Sequence, residues 1–413
     1  MTAQQNNNIH VRNQEYNIKM MNKYQSHIRN DKLVIGDSKN VDSDLTTLQF
    51  IETLNVKKLK LYYNNTMSLK LRSNIIIKLT VDITELTDNQ LQSQIINFNV
   101  DDLDLENLET LKFNEMQLGN DQLFYLSKFK KLQTLAISKN NADLTHIHSI
   151  ISLTSLYMSY CGLHQIDQIG SLINLEILDL SMNQLKSINS IQQLSKLKDL
   201  NISQNKRIDV TPLIYLTNLV KLDLNHCELN SLSAIKLLSN LLDLDISWNL
   251  INDITDLQYL LKLTKLSMQY CGLVSICVLR PLQNLIELDI SHNNIVYIHN
   301  YIMMKLKQLQ LNQNLISDFT KLEQHPYFSD FDISNQEKPS IFELNFANQI
   351  RKIERQNISL KQIQNICQIF KPKMNQFKDE INVTTDRAKV DHILFMKYIV
   401  HLFQQLSENP IFE

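Results

Sequence analysis

Leucines return at a fixed interval through the middle of this 413-residue chain. Leu153, Leu175, Leu197, Leu219, Leu241, Leu263 and Leu285 follow one another in steps of 22 residues. Leu132 leads Leu153 by 21, Leu306 follows Leu285 by 21, and Phe328 follows Leu306 by 22. A fixed short period describes a stack of one small unit repeated. It does not describe a series of independent globular domains.

Within each block the apolar spacing changes. Leu178-Asp179-Leu180 alternates with period two, which predicts a short strand with both leucines turned inward and Asp179 turned to solvent. Leu185, Ile188, Ile191 and Leu194 then recur every third residue, a spacing that suits a 3-10 or irregular helical turn. One block cannot bury both rows alone, so neighbours stacked about 4.8 Å apart as a parallel sheet must supply the core.

Every block obeys L-x-x-L-x-L-x-x-(N/C)-x-L-x-x-I-x-x-I-x-x-L-x-x. This resembles the leucine-rich repeat of the short 22-residue class, found in a regulatory subunit of protein phosphatase 1 and in bacterial internalins. The resemblance covers Leu108 to Ile333 strongly. It extends more weakly to "VKKLKLYYN" (56–64) and "IIKLTVDIT" (76–84). It implies an α/β solenoid with a parallel sheet on the concave face, short 3-10 or irregular segments on the convex side, and a non-catalytic scaffold that binds a protein on the concave face. A signalling enzyme such as a phosphatase is one partner it implies. An internalin-like surface adhesin is the alternative.

The ninth position of successive blocks reads Cys161, Asn183, Asn205, Cys227, Asn249, Cys271, Asn293, Asn314. In leucine-rich repeats this residue is buried and hydrogen-bonds the turning backbone, so the three cysteines are expected to be structural thiols. Gly162 and Gly272 follow two of them and relax the turn.

Four segments are expected. Residues 1–30 form a polar leader with an N-terminal capping helix, and 31–107 hold degenerate repeats with a convex helical insertion near 85–100. Residues 108–339 hold the regular repeats. Residues 340–413 form an α-helical cap or tail, opened by the capping-box pair Ser340 and Glu343. "KLVIGDS" (32–38) is the first expected strand and "FSDFDIS" (328–334) the last.

Five glycines leave no room for a phosphate-binding glycine loop, and no metalloprotease, calcium-loop or nucleophile-elbow motif occurs. His146 and His148 would share one face of a strand but have no third ligand nearby. No catalytic residue, cofactor or metal is expected. The first thirty residues contain no apolar core of a signal peptide. Five cysteines in an odd count, without a CxxC pair, fit reduced thiols in a cytoplasmic protein with access to the nucleus. A net charge of −2 gives no overall field for nucleic acid, no stretch of 18 apolar residues predicts a membrane span, and a monomer is expected.

The candidate site lies on the concave face. The residue inside L-x-L includes Asp223, Asp245 and Asp289, an acidic row. The residue before the Asn/Cys position reads Tyr160, Met182, Gln204, His226, Trp248, Tyr270, His292, Gln313. Tyr160, His226, Trp248, Tyr270 and His292 thus form an aromatic row containing the only tryptophan of the chain. Tyr and Trp dominate binding hot spots, so this row and its acidic flank are expected to meet Arg or Lys of a partner. Asp199, Lys221, Asp243, Lys265 and Glu287 alternate in sign and predict cross-strand ion pairs.

Overall fold

The computed structural model describes residues 32–35, 56–63, 71–73, 76–83, 103–115, 124–141, 144–251, 253–296, 305–316, 330–334 and 336. Its contacts divide the chain into two units, Met1–Leu200 and Asn201–Glu413. The capping helix of 1–30, the insertion of 85–100 and the helical tail of 340–413 fall outside the described residues.

The first unit is a parallel sheet whose strands succeed one another in chain order: Lys32–Ile35, Lys58–Tyr63, Lys78–Ile83, Thr110–Lys112, Thr134–Ala136, Ser155–Tyr157 and Ile177–Asp179. Leucine faces leucine at each step, as Leu33↔Leu59, Leu59↔Leu79, Leu79↔Leu111, Leu111↔Leu135, Leu135↔Leu156 and Leu156↔Leu178. A two-strand pair, Leu71–Arg72 beside Leu103–Asp104, lies apart from that sheet and was not foreseen from the pattern.

The second unit repeats the arrangement with Lys221–Asp223, Asp243–Asp245, Lys265–Ser267, Glu287–Asp289, Gln308–Gln310 and Asp330–Asp332. Leu222, Leu244, Leu266, Leu288 and Leu309 are in register and buried. The spacing of three behaves as expected. Thr211–Tyr215 and Thr255–Tyr259 are 3-10 helices, as are Asp167–Ser171 and Asn189–Gln193 in the first unit. Each buries one apolar residue of the step-three row, for example Ile169, Ile191 and Leu257.

A buried asparagine row ties the blocks together. Asn249 Oδ1 accepts from the backbone N–H of Cys227 at 3.1 Å and of Leu229 at 2.8 Å. Its Nδ2 donates to Leu224 O and to Ile246 O, both at 2.9 Å. One amide therefore satisfies four backbone groups in two consecutive blocks, groups whose burial without partners would be costly. Asn183 does the same for Cys161 and Leu163, and Asn293 for Cys271 and Leu273.

Candidate functional site

The turn after each strand sets the direction of the candidate residues. In every block the residue before Asn/Cys has positive φ: 55° at Tyr160, 57° at Met182, 54° at His226, 60° at Trp248, 51° at Tyr270 and 55° at His292. This left-handed geometry is unusual for bulky residues and costs roughly 1–2 kcal/mol each. It turns the backbone so that the N–H reaches the next block: Trp248 N–H donates to Gln269 O at 2.7 Å and His226 N–H to Ser247 O at 2.9 Å. The side chains are left pointing outward. Trp248 is 43% exposed and Tyr160 is 61% exposed.

Four of the five aromatic candidates come together in the second unit. Trp248 and Tyr270 stack with ring centres 3.9 Å apart and planes 23° apart. Tyr270 and His292 stack at 4.1 Å and 17°. His226 meets Trp248 edge-on at 6.0 Å. Tyr160 lies in the first unit, in a row whose other members there are Glu115, Lys139 and Met182. Both faces of Tyr270 are covered by its neighbours, so cations of a partner have no access to them. What the stack offers outward is a line of ring edges, which carry the positive end of the aromatic quadrupole and the ring N–H and O–H groups.

The aspartates of the neighbouring row are partly committed to the turn. Asp223 Oδ1 accepts from Asn225 N–H at 2.9 Å, and Asp245 Oδ1 from Ser247 N–H at 2.8 Å. Asp289 Oδ1 accepts from Ser291 N–H and Oγ–H, and its Oδ2 accepts from Gln269 Nε2. This is the turn that Asp makes with the backbone two residues on, and it ends each strand. Of the alternating charge row, Lys265 and Glu287 pair at 3.1 Å, and Glu287 holds the Lys265 ammonium above its ordinary pKa.

Cys161, Cys227 and Cys271 are buried free thiols, each with Sγ 3.3 Å from a carbonyl oxygen: Ile137 O, Ile202 O and Ile246 O. Burial pushes the thiols of Cys227 and Cys271 up to about 12. A thiol held so far from its anion is a poor nucleophile and a poor metal ligand. Gly162 and Gly272, which follow cysteines, have φ of 68° and 70°, the conformation glycine tolerates best. His146 and His148 flank and enter a 3-10 helix at Ile147–Ser149, not a strand. Among the described residues no cluster of three His, Cys, Asp or Glu could hold a metal, and no helix is long and apolar enough to cross a membrane.

In-register parallel strands, an Asn/Cys row and 3-10 segments every 22 residues define a leucine-rich-repeat solenoid. The chain is similar to several known structures. A leucine-rich repeat protein of Leptospira interrogans is 23% identical over 75% of this chain and 76% of that one, with a TM-score of 0.53. An internalin, InlF, of Listeria monocytogenes is 21% identical over 74% of this chain and 87% of that one, at 0.49. TLR13, solved as a complex with ssRNA13, is 18% identical over 74% of this chain and 50% of its own, at 0.50. No protein-family model and no curated protein matches the sequence.

Proposed function

We propose that this protein is a non-catalytic interaction scaffold that binds a partner protein on its concave sheet, with the centre of the site on the His226–Trp248–Tyr270–His292 stack. The single observation that carries this reading is the exposure of Trp248 in a left-handed turn. Asn or Gly would fit that backbone at lower cost, yet the chain spends its only tryptophan there. The stack is rigid, so little side-chain freedom is lost when a partner covers it. Buried cysteines that stay unpaired support a reducing compartment, and we propose a cytoplasmic or nuclear location, with a signalling enzyme such as a phosphatase as the partner class.

The test is the change Trp248→Ala, measured against the partner recovered from the native cell. Affinity should fall by about 2 kcal/mol or more, while stability falls by only about 0.5–1.5 kcal/mol, the worth of a stacked pair. Wild-type affinity with reduced stability would make the stack a structural feature of the turn and move the site elsewhere. Recovery of the partner from outside the cell would favour the adhesin reading.

A further inference from the structure

The last residue of each 3-10 segment forms a column of its own. In the first unit it reads Ser149, Ser171 and Gln193, at the ends of Ile147–Ser149, Asp167–Ser171 and Asn189–Gln193. In the second unit it becomes Tyr215 and Tyr259, at the ends of Thr211–Tyr215 and Thr255–Tyr259, with Leu237 in the turn of the block between. The six positions follow one another in steps of 22 residues, and all are exposed. Tyr215 is 59% exposed, Leu237 55% and Tyr259 55%. Leu261, two residues beyond Tyr259, is exposed as well.

Single exposed hydrophobic residues are ordinary on any surface. Three in one column, where the preceding blocks hold Ser, Ser and Gln, make a strip along one side of the second unit. Covering a tyrosine completely removes roughly 150–250 Å² from water. With about half of each side chain exposed, the two tyrosines, Leu237 and Leu261 offer roughly 400 Å² together. That is the apolar centre of a small interface, which reaches the roughly 800 Å² per partner of a stable complex only with a polar rim. Thr211, Ser233, Thr217 and Ser239 lie within four residues of the strip, are exposed and supply such a rim. The strip itself carries no charge. Lys236, beside Leu237, has the Asp256 carboxylate of the next block within electrostatic reach, and Lys262 donates to Asn240 Oδ1 at 2.7 Å.

We infer that this strip is a self-association surface, through which two copies of the chain pair about a two-fold axis at Leu237, in place of the monomer expected from the sequence. The row has the same residue at both ends. A two-fold axis lying across its middle sets Leu237 against Leu237 of the second copy, and Tyr215 of each copy against Tyr259 of the other. Such an isologous contact uses one surface twice, so the surface must complement itself. An uncharged row of large, small and large side chains that reads alike in both directions does so. Tyrosine suits the role, because its ring buries apolar area while its O–H can bond to the polar rim. A strip of this size supports a reversible dimer with a Kd of about 1–100 µM. The inference goes beyond the concave aromatic site and does not depend on it.

The test is sedimentation of the full chain between about 1 and 200 µM, a range that brackets a weak dimer. The mass should rise from one chain toward two, and added salt should not reverse the rise, because the contact is apolar. Leu237→Asp and Leu237→Lys should each remain monomeric alone, melt at the wild-type temperature, and pair when mixed in equal amounts, since the axis brings the two changed positions together. If these variants melt early, Tyr215→Ser/Tyr259→Ser, which repeats the serine of the first unit's column, takes their place and should weaken pairing about tenfold or more. A wild-type mass of one chain throughout, a dimer that survives Leu237→Asp, or no pairing in the mixture would each overturn the inference. So would Leu237-dependent binding to phosphatidylcholine vesicles without self-association, which would make the strip a lipid contact. Trp248→Ala should leave the dimer intact; its loss in that variant would assign the contact to the concave site instead.

Discussion

At the scale of single residues, the protein depends on the ninth position of each block, an amide where that residue is Asn. Asn249 answers four buried backbone groups, and alanine would answer none. Asn249→Ala should therefore cost of order 3 kcal/mol in a urea titration, since at least two buried N–H groups lose their acceptor. Asn249→Cys should cost less, because a thiol can still donate to a carbonyl, as Cys227 Sγ does to Ile202 O. Equal losses would show that donation contributes nothing. The thiols predict a pH dependence. Cys227 and Cys271 have native values of about 12 against an ordinary value of 9.0. The native state therefore prefers the neutral thiol, and this stabilisation is complete below about pH 9 and lost as pH rises toward 12. The urea midpoint should fall across that window, and the fall should shrink when both cysteines are replaced by serine. Native protein at pH 7.5 should label slowly with a thiol reagent, as the sequence alone led one to expect. The left-handed φ of the aromatic row was not legible in the same way, because nothing about Tyr, Trp or His announces that conformation.

At the scale of the repeat element, alternation and triplet spacing were enough. Leu222, Leu244, Leu266 and Leu288 read as inward from L-x-L and are buried; the 3-10 segments read from spacing three and are present. Leu244→Ala should cost about 2–5 kcal/mol, and a silent change in the same urea titration would contradict the register. What the pattern could not show was how side chains share space between elements. The aromatic row was visible as a column of letters, but its stacking was not. The sequence therefore suggested exposed ring faces for cations, whereas the structure turns Tyr270's faces inward onto Trp248 and His292. The aspartates looked like a free acidic stripe, and each gives one oxygen to its own turn.

At the scale of the whole chain, a near-neutral total conceals local segregation. In the first unit Lys32, Lys58 and Lys78 stand directly opposite one another, which was not apparent because their strands ignore the period of 22: Lys32 to Lys58 is a step of 26 and Lys58 to Lys78 a step of 20, and only the pairing places them side by side. Regular blocks disclose their columns to anyone who counts, whereas irregular ones disclose them only once folded. The asparagine row has one further consequence, for how such a chain can grow. Where the ninth position is Asn, its amide meets backbone needs of the block before it. A copied stretch of 22 residues spliced in phase therefore arrives with its donors and acceptors already matched on both sides. Genetic duplication in this region meets little structural resistance, and the 21-residue step from Asn293 to Asn314 keeps the same kind of bonds, to Ile295 N–H and Ile290 O, so the count can vary by one residue without displacing the amide. The protein's length is in this sense an adjustable quantity, and lengthening it enlarges the surface it can offer without any new fold.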